Sequence, residues 1–203
     1  MSRQLASLLK SYPAQASPWL EKDEDAVLSA LLAGREDRIS RLAAALRPFV
    51  IDVAALMSAE PLALVDALDR WSAAHWRSAA GSEWADPEHF RKPVWAQPAQ
   101  ASTYTLIVDM GVVMGEAVLQ LRPGLAWAVD RYEAHEADGV SHFGQVVVLD
   151  PAVPKDARSP AVFDAIDVAF MRYQCLAYDQ PLEPFIEGMR GLLWSTHRYL
   201  YAG

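Results

Sequence analysis

The chain has 203 residues and a mass of 22.4 kDa, with 52% hydrophobic and 22% charged residues. That size and composition suit one folded domain with its own core and exclude a disordered polymer. The net charge of −8 excludes the basic footprint of a nucleic-acid binder, and one cysteine, Cys175, excludes an internal disulfide or a thiolate zinc cage.

The first ten residues carry Arg3 but no sustained apolar run, which predicts a short helix rather than a signal peptide. Asp23 is placed to cap a helix with Val27, Leu28, Leu31 and Leu32 on one face, and Gly34 to end it. Arg35 to Arg47 repeats the helical pattern through Ile39, Leu42, Ala43 and Leu46, and Pro48 forces a boundary. Phe49 to Met57 is a short apolar segment. Ser58 is a cap candidate before Pro61, after which Leu64, Leu68, Trp71 and His75 fall on one helical stripe. Residues 81–101 are punctuated by Gly81, Pro87, Pro93 and Pro98 and predict a connecting segment.

Ser102 and Thr103 open a long helix that ends before Pro123-Gly124. Its apolar run, Leu106 to Leu119, is interrupted by Asp109 and Glu116 and is shorter than the roughly 20 residues of a membrane span. Leu125 to Tyr132 alternates as a strand should, Ala134 to Ser141 is polar and turn-like, and Gln145 to Leu149 is a second, β-branched strand. Together they predict an antiparallel hairpin. Ser159-Pro160 and Glu183-Pro184 each mark the start of a further helix. The expected fold is α+β, predominantly helical, with a small antiparallel hairpin or sheet packed on the helices. The expected organisation is one domain over residues 1–203, with a helical region over residues 1–80, a connection over 81–101 and an α+β region over 102–203.

Three groups of residues invite a functional reading. Gly111 and Gly115 lie four apart on one helix face, and each costs about 1 kcal/mol against alanine, so a close neighbour is expected there. Asp109 and Glu116 flank them; with Trp127 they form a candidate pocket. Seven residues separate the carboxylates, about 10 Å along the axis, too far to act as a glycosidase pair or share one ion. Pairing with an arginine or a Trp N–H is the structural reading of both. The segment between the strands carries Asp130, Glu133, His135, Glu136, Asp138 and His142. No standard metal-ligand spacing occurs in it, so no metal and no cofactor are expected. Glu133, Glu136 and Asp138 form an acidic protrusion suited to a basic protein partner. Residues 101–203 hold 13 acids against 7 bases, whereas residues 1–100 hold 13 against 11, so the excess sits in this half.

The sequence holds no G-x-S-x-G elbow, P-loop, G-x-G-x-x-G or HExxH motif. Ser195 and His197 are two apart on a helix and cannot face each other. Cys175 on an apolar helix reads as structural, and His75 beside Trp71 and Trp76 as a packed histidine.

The pattern Asp109-x-Gly111-x-x-x-Gly115-Glu116, followed by Pro123-x-x-x-Trp127 entering a strand, resembles small bacterial α+β domains of undefined activity, some of immunity-protein style. The resemblance covers residues 102–150 and carries over no catalytic residue. It implies a bacterial α+β domain; the single cysteine and the N-terminal residues fit a cytoplasmic one. The favoured function is therefore a non-enzymatic protein-binding domain of immunity or antitoxin type, meeting a basic partner through Glu133, Glu136 and Asp138, with neither nucleic acid nor membrane as partner. A hydrolase with a carboxylate and histidine pocket near Asp109 and Glu116, and a scaffold or assembly subunit, are the alternatives.

Overall fold

A computed structural model describes residues 3–14, 23–79, 101–158, 160–177 and 184–194. The proline-punctuated connection up to residue 100, and Ser195 and His197, lie outside the described residues. The helices are α1 (Arg3–Ser11), α2 (Glu24–Leu46), α3 (Val53–Ala59), α4 (Pro61–Ala79), α5 (Ala101–Leu121), α6 (Glu133–Asp138), α7 (Ala165–Ala177) and α8 (Phe185–Trp194). Three short strands, β1 (Ala126–Val129), β2 (Val146–Leu149) and β3 (Val162–Phe163), form an antiparallel sheet in the order β1-β2-β3. The fold is α+β and predominantly helical.

Asp23 caps α2, its carboxylate accepting from the Asp25 and Ala26 N–H groups at 3.0 and 3.2 Å. Gly34 does not end this helix, contrary to the sequence reading. Val27, Leu31, Arg38, Leu42 and Leu46 form one continuous buried stripe, and burial of that face outweighs the roughly 1 kcal/mol cost of an interior glycine. The helix stops at Leu46, and Pro48 lies in the 3₁₀ turn that follows, Arg47–Phe49. Asp52 caps the next helix, accepting from Ala55 N–H at 3.1 Å; Ser58, expected as the cap of the helix at Pro61, lies instead inside α3 and donates to Ala55 O. In α4, Leu64, Leu68 and Trp71 are buried. Asp69 reaches across to pair with Arg172 at 3.0 Å and to accept the Phe185 N–H at 3.0 Å, tying α4 to α7 and α8.

Helix α5 runs through the centre. Tyr104 to Gly115 are all buried, as are Ala117 and Val118, the all-round burial expected of a core helix. Residues Ser102–Leu121 are long and apolar enough to cross a membrane by length and composition, but 78% of that window is buried against the rest of the chain. At Gly111 a Cβ would lie 2.8 Å from Ile166 Cα and 2.9 Å from Ala165 O, so the missing side chain lets the backbone of α7 approach.

The sheet shows the period-two division of a strand. Trp127, Val148 and Phe163, neighbours across the register, face the helical core. Val147 and Leu149 face the other way and form a second cluster with Tyr132, packed by Ala128, Val153 and Val162. Two segments depart from the sequence reading. Residues 134–141 are not simply a turn, because α6 forms there. Pro160 introduces strand β3 rather than a helix. The helix starts at Ala165, where Asp164 Oδ1 accepts the Asp167 N–H at 2.9 Å: the hydrophobic Val162 and Phe163 pair with β2 before the cap arrives.

Candidate functional site

The segment linking β1 to β2 is held at both ends. Asp130 N–H donates to Gln145 O and Gly144 N–H to Asp130 O, both at 2.9 Å, so the hairpin continues one residue past β1. Asp130 Oδ1 accepts the Tyr132 N–H at 3.2 Å, and the Glu133 N–H donates to Lys155 O at 3.0 Å, turning the chain into α6. Gly139 ends the helix with φ 63°, its N–H returning to Glu136 O. This glycine after Glu-Ala-His-Glu-Ala-Asp is the signal for α6 that the turn reading overlooked.

The helix has two differently employed sides. Glu133, Glu136 and Asp138 are exposed, as the sequence predicts for a protruding acidic segment, but on a helical turn instead of a loop. Nearby, Arg131, two residues before α6, pairs with Asp25 at 2.9 Å and Glu24 at 3.5 Å at the start of α2. On the inner side, His135 is 12% exposed and meets Asp130, which is fully buried. Both His135 Nδ1 and His142 Nδ1 contact the same oxygen, Asp130 Oδ2, at 2.8 and 2.7 Å. The two imidazoles stand edge to face at 4.6 Å between centroids. Sequence spacing concealed this arrangement because the three residues come from a strand end, a helix and a turn.

The proposed pocket residues separate into two clusters. Asp109 has no exposure. Arg38 Nη1 donates to its Oδ1 at 2.6 Å, Arg41 Nε to Oδ2 at 2.8 Å, Arg41 Nη2 to Oδ1 at 3.2 Å and the Tyr12 hydroxyl to Oδ2 at 2.7 Å. Burial, reinforced by the adjacent carboxylate, pushes the Tyr12 phenol far above its ordinary range, so it remains a donor. Both Asp109 oxygens are thus engaged, and a cleft of about 450 Å³ beside its partners is lined by Tyr12, Arg41 and Phe49, among others. Glu116 Oε1 accepts the Trp127 indole N–H at 2.8 Å, with Arg35 at 3.8 Å. Trp127 lies against Gly115, where a side chain would overlap its ring. Arg38 was the missed signal: it interrupts the buried stripe between Leu31 and Leu42 and needs a buried acid opposite it.

A further carboxylate lies under the helix α7 cap. Asp164 lines a cleft of about 330 Å³ with Ser141, Asp167, Tyr104 and Phe170. Burial raises its carboxyl to about 6. His75 packs on Phe49 and Trp71, and burial lowers its pKa.

No known protein family, curated protein or solved structure matches this chain.

Proposed function

We propose that the chain is a non-enzymatic protein-binding domain of immunity or antitoxin type, which holds a basic partner against the acidic face of α6. The observation that carries this reading is the exposed display of Glu133, Glu136 and Asp138 on α6, with Glu24 and Asp25 paired to Arg131, two residues before that helix. Arg131 is paired with Glu24 and Asp25, while Glu133, Glu136 and Asp138 are exposed, and their acidic field would steer a basic surface to this face. Its position on a helix clamped to the sheet supplies the pre-organisation that lowers the entropic cost of binding.

The test starts from a partner recovered with the full chain from its own host and then purified. The triple variant E133Q/E136Q/D138N should melt with the native protein, because exposed charges contribute little stability. Its association with that partner should be slower by about tenfold at low salt, with the difference shrinking as salt screens the field. Equal rates with equal salt dependence would move the interface elsewhere. For an immunity-type role, coexpression of the chain should also relieve any toxicity of the partner.

A hydrolytic reading finds its support away from Asp109 and Glu116, in the cleft containing Asp164. A half-buried carboxyl near pH 6, lining one cleft with Asp167 and Ser141, has the character of a general acid or base. Turnover of chromogenic ester or phosphoester substrates by the native chain, lost in D164N, would favour this reading over the first.

A further inference from the structure

We propose that Asp130, His135 and His142 form a binding site for one divalent transition-metal ion, with Zn²⁺ the expected occupant. The inference stands independently of whether α6 meets a protein partner.

The first support is convergence. One ligand atom from each residue lies within 4.8 Å of the others, although the residues belong to the end of β1, to α6 and to the turn before β2. Ligands bound about 2.0–2.2 Å from one ion stand about 2.8–3.1 Å apart at right angles and about 3.3–3.6 Å apart at tetrahedral angles. The observed nitrogen–oxygen separations of 2.8 and 2.7 Å fall near the first value. A small outward movement of the rings reaches the second. Two imidazoles and one carboxylate are the donors that zinc, cobalt, nickel and ferrous iron accept, and three protein ligands leave room for water. His142, at 26% exposure, provides the solvent side.

The second support is charge. Among the described residues, Asp109 and Asp130 are the two fully buried aspartates, both with 0% exposure. Asp109 is met by two guanidiniums. Among the described residues Asp130 has no arginine or lysine; its side-chain partners are the Tyr132 N–H and the two imidazoles. A buried carboxylate needs a compensating cation. A metal ion held by two neutral imidazoles supplies one and accounts for both rings converging on a single oxygen.

The third support is pre-organisation. Hydrogen bonds to Gln145 O and from Gly144 N–H fix the backbone of Asp130. Gly139 closes the helix that carries His135, and the Tyr132 ring packs edge-on against His135 at 5.5 Å. Such outer contacts keep ligand side chains in place. The competing arrangement is metal-free, with both Nδ1–H groups donating to Asp130 Oδ2.

Calorimetric titration of the tag-free, chelator-stripped full chain with Zn²⁺ tests the proposal, together with visible absorption on titration with Co²⁺. One ion per chain should bind with a dissociation constant of about 10 µM or tighter. H135Q and H142Q should each weaken it at least about tenfold, with folding verified by circular dichroism. The control H89Q/H197Q should bind as the native chain does. If either histidine variant unfolds, ¹⁵N spectra of the native chain decide: zinc should remove the proton from Nδ1 of both His135 and His142. Absence of saturable one-to-one binding, unchanged affinity in folded H135Q and H142Q, or Nδ1 protons that survive zinc addition would overturn the site in favour of the hydrogen-bonded cluster.

Discussion

Gly111 and Gly115 serve different neighbours although they share a helix face. Gly111 admits the backbone of α7 at Ala165 and Ile166, while Gly115 admits the Trp127 indole, whose N–H is fastened to Glu116. Alanine at either site gains about 1 kcal/mol of helix propensity but overpacks the interface by about 1–3 kcal/mol. Both G111A and G115A should lower the urea midpoint, since a backbone at the one and a buried, hydrogen-bonded indole at the other would stand under 3 Å from the added methyl. A midpoint equal to or above the native one would show that the space is not filled as described. Asp109 presents the opposite problem, a charge sealed inside. D109N would leave Arg38 and Arg41 without their anion, and a loss of about 3–5 kcal/mol is expected in the same denaturation measurement. A loss below about 1 kcal/mol would mean that the guanidiniums reach water.

At the scale of elements, Asp164 both caps α7 and sits in a poorly solvated place. Its carboxyl near 6 lies above the ordinary 3.8, which fixes the sign of its contribution. Below about pH 4 the folded and unfolded chains both hold the proton, and the stability associated with the neutral group is fully present. As pH rises through 6 the unfolded chain has already ionised, and that stability is lost, by on the order of 1–3 kcal/mol. D164N retains an oxygen for the Asp167 N–H and cannot ionise. Urea curves recorded from pH 4 to 7 should therefore diverge, with the variant gaining relative to the native chain as pH rises. Parallel curves would place Asp164 in water. The α6 element shows a related balance between local and distant forces. Six residues are too few for a stable isolated helix, yet the Asp130 turn, the Gly139 cap and the inward packing of His135 hold it on the hairpin.

Across the whole molecule, one hydrophobic cluster extends from Leu8 and Tyr12 through α2, α4 and α5 to Phe163, Tyr173 and Met189. Helix α5 lies within this cluster, so the α2–α4 region and the sheet share apolar surface through it. Unfolding should then be one event. Helix content by far-ultraviolet circular dichroism and tryptophan fluorescence should give coincident urea transitions. Two separated transitions would show that the helical and α+β regions fold independently. The charge distribution works at the same scale: Arg131, two residues before α6, pairs with Glu24 and Asp25 at the start of α2, about a hundred residues away in the chain.

The sequence by itself determined the predominance of helix, the long buried α5, the antiparallel pairing of the valine-rich strand and the cap at Asp23. Each is encoded in a local period or in one residue bonding to its own neighbours. It also contained the reason for a close approach at Gly111 and Gly115, because glycine is costly in a helix wherever it occurs. Tertiary structure alone decided that Gly34 would not break α2 and that Val162 and Phe163 would add a third strand. In each case packing of an apolar face or pairing with a distant strand outweighed a weak local preference. It also decided the partners of the polar groups. Arg38 and Asp109 are 71 residues apart, and Asp130 meets histidines from two other segments. Such pairings arise because a buried charge must find its compensation in space, whatever lies beside it in the chain.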